Sequence, residues 1–432
     1  MLPDATLPDG LAELLKACRS CFTARSFPIY CLLTVGMIAQ VGPATVTGIL
    51  VGSGLTGLVG HDRVHRFFAE HRWCTDQLGL RLAHLVVTGL LDPDAPIVLA
   101  VDDTMFRRSG RKVAEAHLGH DASAPGRPFT RGNRWVIAAI VVQMPFCSRP
   151  IALPVLLRLW RGAGTASTSD LAREMTGLIL RAFPERRLHI VADAAYRSQV
   201  FSTLPERASF TCRITKAATL YAPTPPRTGR RGRPRSKGDR LGTPEQTAAG
   251  AVEHPTTLTR YGRTETVHIA LIHCLWYGTL GKRPGLLIAI RDAKGTVYLF
   301  TTDLTTTPEQ IVTRYAARWS IESAIENAKQ HMGVGQARNR IRTAVERTVP
   351  FGMFTMTLIH LWYAAHGHHS ADVAAHRARR PWYTTKTEPA FTDMLTALRR
   401  HIIKARFSSP TPAHSPTPQI DTDLLAWAHT AA

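Results

Sequence analysis

Ile97-Val-Leu-Ala-Val101-Asp102-Asp103-Thr104 is the stretch whose reading decides the fold. Five consecutive apolar residues read as a strand covered on both faces, because a half-exposed strand would alternate apolar with polar. Two carboxylates follow where the apolar run stops. Leu188-His-Ile-Val-Ala192-Asp193 repeats the device, a short apolar run closed by an acid. Between the two lie further apolar runs, Trp135 to Val142 and Ile151 to Leu157, and a helical pattern from Ser169 to Ala182. After Asp193 come a short helix near Ser198 and a fifth strand, Ala208 to Ile214.

Three strands, a helix, a strand, a helix and a strand is the order of an RNase H-like α/β core, a mixed five-stranded sheet with flanking helices. In that fold the first acid ends strand one and the second ends strand four. Working outward, residues 1–95 predict a helical N-terminal domain, with apolar residues at helical spacing in Leu11 to Cys21, Tyr30 to Gln40, Ala44 to Val51, Arg63 to His71 and Thr75 to Leu91. Pro43-Ala-Thr-Val-Thr47, after a Gly turn, resembles a helix-turn-helix junction. A DNA-binding role is therefore expected of residues 1–95, a plain helical adaptor being the other reading.

Residues 96–214 predict the first part of the core, and 309–365 a second part with a further helix. Between them, residues 215–308 hold a basic Pro/Gly/Arg-rich loop, Pro223 to Leu241. Strands Thr266 to Leu275, Leu286 to Arg291 and Val297 to Thr302 follow, the last two joined by the turn Asp292-Ala-Lys-Gly295. We read this as a β-rich insertion interrupting the core. Residues 366–432 predict a polar C-terminal region with a flexible linker, Ser408 to Pro418, before a last short helix.

The balance of 53 Lys+Arg against 32 Asp+Glu, a formal charge of +21, favours a polyanionic partner, nucleic acid before membrane surface. Seven scattered cysteines suit a reducing compartment, and the one CxxC, Cys18 with Cys21, lacks a second ligand pair for zinc. Ser26 to His61 has no charged side chain, yet Gln40-Val-Gly-Pro43 breaks it below the ~20 apolar residues of a membrane span. A cytoplasmic, nucleoid-associated protein without membrane contact is expected.

The third acidic motif is Tyr315-Ala-Ala-Arg318-Trp-Ser-Ile-Glu322-Ser-Ala-Ile-Glu326-Asn-Ala-Lys329. Spacings of three, four and seven put Tyr315, Arg318, Glu322 and Lys329 on one stripe of a single helix, while Ile321, Ile325, Ala328 and Met332 form an apolar stripe for packing. Two carboxylates from neighbouring strand ends and one from a helix laid across them suit a pair of hard Mg²⁺ or Mn²⁺ ions handling phosphodiesters. Asp103 rivals Asp102 for the first position, although adjacent strand residues face opposite ways and only one should reach the ions. Glu326 rivals Glu322.

The pattern Tyr-x2-Arg-x3-Glu-x6-Lys, with Asp102, Asp193 and Tyr196 before it, resembles the signature of the DDE transposases of bacterial insertion sequences, in the branch with a β-strand insertion before the Glu. The similarity covers roughly residues 96 to 365, and Thr47 to Leu80, with His65-Arg-Phe-Phe68 and Trp73, resembles N-terminal regions of such proteins. The resemblance implies that Asp102, Asp193 and Glu322 bind two Mg²⁺ ions, with Mn²⁺ as a substitute. It implies that Tyr315, Arg318 and Lys329 hold terminal phosphates. It also implies double-stranded DNA partners, the element's inverted repeats and the target, and a homodimer in the synaptic complex. Arg230-Arg-Gly-Arg-Pro-Arg235 resembles an AT-hook, making Arg231, Arg233 and Arg235 candidate DNA contacts. Arg107, Arg108, Arg111 and Lys112 stand to meet the backbone near the acids, and Trp276 or Tyr277 could stack on a base, core packing being the commoner fate of strand aromatics. Rival readings are another RNase H-like nuclease and a non-catalytic DNA-binding descendant.

Overall fold

The computed structural model describes residues 7–408 except 55, 58, 122–125, 127–128, 227–233 and 261, with the backbone alone for 406–408. Arg231, Arg233, most of the Ser408–Pro418 linker and the expected last helix lie outside the described residues.

Five helices come first: α1 (Asp9–Ala17), α2 (Phe27–Ala39), α3 (Val46–Gly52), α4 (His61–Ala69) and α5 (Thr75–Leu90). Then follow β1 (Ile97–Arg107), β2 (His117–His120), β3 (Phe129–Val142), β4 (Ile151–Leu159), α6 (Thr168–Ala182), β5 (Leu188–Ala192) and β6 (Ala208–Arg213). α6 starts on a reciprocal cap in which Ser167 Oγ accepts from the Asp170 amide while the Asp170 carboxylate accepts from the Ser167 amide. β1 pairs antiparallel with β3 and parallel with β5, and β5 pairs parallel with β6. The order β4-β3-β1-β5-β6 in a mixed sheet with flanking helices is compatible with an RNase H-like α/β core.

The sheet does not stop at five strands. After the small pair β7 (Leu220–Tyr221) and β8 (Arg240–Gly242) and a short α7 (Pro244–Ala248), the chain adds β9 (His254–Arg260), β10 (Arg263–Cys274), α8 (Tyr277–Leu280), β11 (Gly285–Asp292) and β12 (Gly295–Thr301). β12 pairs antiparallel with β6 from Leu299↔Arg213 to Thr301↔Thr211, and β11, β10 and β9 follow outward, giving ten strands in one sheet. The segment expected to interrupt the core therefore extends it. The cause is the row of unpaired amides and carbonyls that β6 would otherwise present; across the seam the Thr211 and Thr301 hydroxyls bond at 2.7 Å.

Beyond the sheet run α9 (Pro308–Ala317), α10 (Ser320–Gln330), α11 (Arg342–Trp362), α12 (Asp372–Arg379) and α13 (Phe391–Ser408). Buried side chains of the N-terminal helices, the first strands, α11 and α13 belong to one hydrophobic cluster running from Leu11 to Ile402. A second cluster joins Val267, Ile288 and Leu299 of the added strands to Ile311 and Val312 of α9. α13 is a departure from the polar tail that composition predicts: it buries Phe391, Met394, Leu395, Leu398 and Ile402. Its Arg399 donates to the carbonyls of Ile38 (2.7 Å) and Gln40 (2.8 Å), satisfying the C-terminal end of α2. Among the described residues no helix is long and apolar enough to cross a membrane.

Candidate active site

β1 and β5 run parallel with Val101 opposite Ala192, so the acids Asp102 and Asp193 directly follow a matched pair. β5 ends there. Asp193 caps the next turn, its Oδ1 accepting from the Ala194 amide at 2.6 Å, and it is exposed. β1 continues past Asp102 as far as Arg107, so Asp102 and Asp103 project to opposite sides of a paired strand.

The third motif is not one helix. α9 carries Tyr315, α10 carries Glu322 in its first turn and Lys329 in its last, and Arg318 and Trp319 form the joint. Both joint residues keep right-handed dihedral angles, but hydrogen bonding tightens: the amides of Arg318, Trp319, Ile321 and Glu322 donate three residues back, and Ser320 Oγ donates to the Ala317 carbonyl at 2.7 Å. The expected single helix is thereby interrupted at Arg318, whose guanidinium lies against β1.

Arg318 Nη1 donates to Asp102 Oδ2 at 3.0 Å and Nη2 to Glu322 Oε1 at 2.9 Å, joining acids 220 positions apart in sequence through one side chain. Burial pushes the Asp102 carboxyl up to about 6; Arg318 and the Asp103 amide pull it down, while the Asp103 and Glu322 carboxylates push it further up. Burial pulls the Arg318 guanidinium down, but Asp102, Tyr315 and Glu322 more than offset this and leave it raised. Lys329 Nζ donates to Thr104 Oγ1 at 2.7 Å and lies 5.5 Å from the centre of the Phe106 ring. Burial lowers its ammonium from the ordinary lysine value. Tyr315 has its ring 5.9 Å from the Arg318 guanidinium.

Asp103 has its own partners. Tyr196 donates to its Oδ1 at 3.1 Å and Arg134 to its Oδ2 at 3.3 Å. Burial raises its carboxyl, Arg134 and Tyr196 oppose the rise, and the charge of Asp193 adds to it. Asp102 thus groups with Glu322 around Arg318, whereas Asp193 acts electrostatically on Asp103. Glu326 points elsewhere, exposed and accepting from Gln330 at 2.9 Å. Among the described residues no three His, Cys, Asp or Glu side chains converge as a metal cage. Even so, an oxygen-only donor set in which the Asp102 carboxyl is raised mainly by burial and further by the Glu322 carboxylate fits a hard divalent cation, whose charge would favour the ionised form.

Arg134 escaped sequence reasoning because one cation at the start of an apolar strand forms no motif; only its pairing opposite Met105 brings it to Asp103. Arg235 is exposed and pairs with Asp239 at 2.8 Å. Trp276 is buried, edge-on to Phe300 at 5.6 Å, which removes it as a base-stacking platform. Cys18, Cys21 and Cys31 are buried, Cys18 beside Tyr30 of α2, as small apolar residues.

Residues 19–279 match the family described as DDE superfamily endonuclease, and residues 282–345 match the archaeal ISC1217 transposases. No curated protein matches the chain.

Proposed function

The chain belongs to the DDE superfamily endonucleases by a match over more than half its residues, and from that membership we propose an insertion-sequence transposase that cuts DNA at the ends of its element and joins them to a target. The observation that carries the reading is Arg318 joined to both Asp102 and Glu322, on a strand whose parallel neighbour ends at Asp193. In cutting, water attacks the phosphorus and a 3′-hydroxyl leaves. In joining, that hydroxyl attacks a target phosphodiester, forming one P–O bond as the target's 3′-oxygen leaves.

Asp102, Asp193 and Glu322 are the residues that would hold divalent cations, Mg²⁺ or Mn²⁺, which supply activation of the attacking oxygen and stabilisation of the leaving one. Arg318 fixes the orientation of two of these acids. Tyr315, Arg318 and Lys329 contact terminal phosphates, and the two cations offset charge that grows on the phosphoryl oxygens. Tyr196 and Arg134 hold both oxygens of the Asp103 carboxylate, which supports Asp102 as the first ligand, while the charge of Asp193 reaches Asp103. Residues 1–95 and the arginines at 231, 233 and 235 bind the inverted repeats. Two copies bring two ends together in a nucleoid-associated complex.

The test incubates purified protein with labelled candidate ends and Mg²⁺. Wild type should nick and join. Asp102→Ala, Asp193→Ala and Glu322→Ala should do neither while still binding the duplex. Cleavage retained by all three variants would sink the proposal, and retention in Asp102→Ala alone would move the first ligand to Asp103. Cutting without joining indicates a nuclease on the same fold, and binding without cutting a non-catalytic descendant.

A further inference from the structure

A cavity of 410 Å³ opens where β1 ends. Arg107, Arg108 and Gly110 line one side, Gly335, Arg338 and Arg340 the other, and the turn between α2 and α3 closes the rim through Pro43 and Thr45. Among the described residues no acidic side chain lines it.

The cavity continues the face of β1 on which the acids meet α10. Asp102 touches Arg318, Thr104 touches Lys329, and Phe106 lies under the same lysine, so alternate residues face α10. Arg108, whose amide still donates to the Arg131 carbonyl at 2.9 Å, is next in that series. The turn after α10 folds over it. Gly333 and Gly335 have φ of 61° and 98°, and a Cβ on Gly335 would come within 2.6 Å of the Phe106 ring, so this turn approaches β1 as closely as backbone allows.

Arg108 is only 6% exposed. Its Nε donates to Asn133 Oδ1 at 3.0 Å and its Nη1 to the carbonyls of Gly335, at 3.0 Å, and Ala337. Nη2 has no hydrogen-bond partner among the described residues. Every partner is neutral. A guanidinium buried without a counter-charge is costly, and burial already lowers this one to about 10. Arg338 and Arg340 are exposed at the mouth. A ligand with compact negative charge answers all three arginines.

We propose that this cavity takes a single backbone phosphate of duplex DNA, apart from the phosphate that reacts at the acids. The inference rests on DNA being the substrate. Six residues separate Asp102 from Arg108, which at ~3.3 Å per residue is roughly 20 Å. With ~3.4 Å of helix axis per nucleotide, a duplex whose axis runs along β1 places the anchored phosphate about six nucleotides from the reacting one.

The test uses the full chain, a labelled duplex carrying candidate ends, and the variants Arg108→Gln and Arg338→Gln/Arg340→Gln. The slope of log affinity against log salt should shrink by about 0.9 in each. Ethylation of a phosphate about six nucleotides from the nick should weaken wild-type binding and leave the double variant indifferent. If Arg108→Gln fails to fold, the double variant, whose positions are exposed, decides alone. A wild-type slope in the double variant overturns the site. So does inorganic phosphate that raises the melting temperature of wild type but not of Arg108→Gln while the slope stays put, since the cavity then serves a free anion. Protein that cuts and joins DNA with an unchanged slope loses this site alone; protein that binds through the cavity but never cuts keeps the site and loses the transposase reading.

Discussion

Asp102→Asn should cost activity and increase stability, and the gain should depend on pH. The Asp102 side chain is 20% exposed and its carboxyl is held at about 6 against an ordinary 3.8. That gap, at 1.36 kcal/mol per pH unit, is worth about 3 kcal/mol. Because the folded value is raised, the native state keeps a proton that the unfolded chain gives up between pH ~4 and ~6. The associated stability is fully present below about 3.8 and lost as pH rises through about 6. Asn copies the protonated shape and still accepts from Arg318, whose attraction for the carboxylate is already contained in the value of about 6. The variant should therefore exceed wild type by about 3 kcal/mol at pH 7.5 and by less than about 1 kcal/mol at pH 4. Urea unfolding of both proteins at the two pH values, with chelator present, measures the double difference. A gap that does not change with pH, or a wild type that is the more stable at pH 7.5, refutes the assignment of a raised Asp102 carboxyl.

Lys329→Met removes the donation to Thr104 and a cation near the acids; strand joining should fall ~100-fold while the urea midpoint shifts by no more than about 1 kcal/mol equivalent. Leu398→Ala on α13, a fully buried position, should destabilise by about 2–5 kcal/mol in urea unfolding, a loss incompatible with a loosely attached tail. Among the described residues Arg235→Gln breaks an exposed ion pair with Asp239, so the melting temperature should hold; the salt slope of DNA binding should fall by about 0.9 as the basic arm loses a phosphate.

β1 and β5 could be located in advance because doubly covered strands write themselves as unbroken apolar runs, and the acids mark where the cover ends. The joint at Arg318 could not. Helical periodicity passes through it unbroken, since both joint residues remain right-handed, and the decisive contact is a Ser320 hydroxyl on a backbone carbonyl. Pairing of β12 with β6 was equally hidden, because the partners are separated by nearly the whole inserted segment and no local pattern names a partner. α13 had its signal in plain view: Phe391, Met394, Leu395, Leu398 and Ile402 recur at helical spacing, and the Arg and His residues among them drew attention to polarity instead. The locations of Asp102, Asp193 and Glu322 followed from motif spacing, but which of the two β1 acids meets α10 depends on strand facing and on Tyr196 and Arg134 securing the other.

The seam between β6 and β12 bears on any attempt to shorten this protein. Residues 215–308 look removable in linear order, yet excising them would strip β6 of its neighbour and leave Ile311 and Val312 of α9 without their partners. The shortened chain would then seek a substitute strand from another molecule. Miniaturised versions should therefore fail first by self-association during expression, with the chemistry at the ends of β1 and β5 never put to the test.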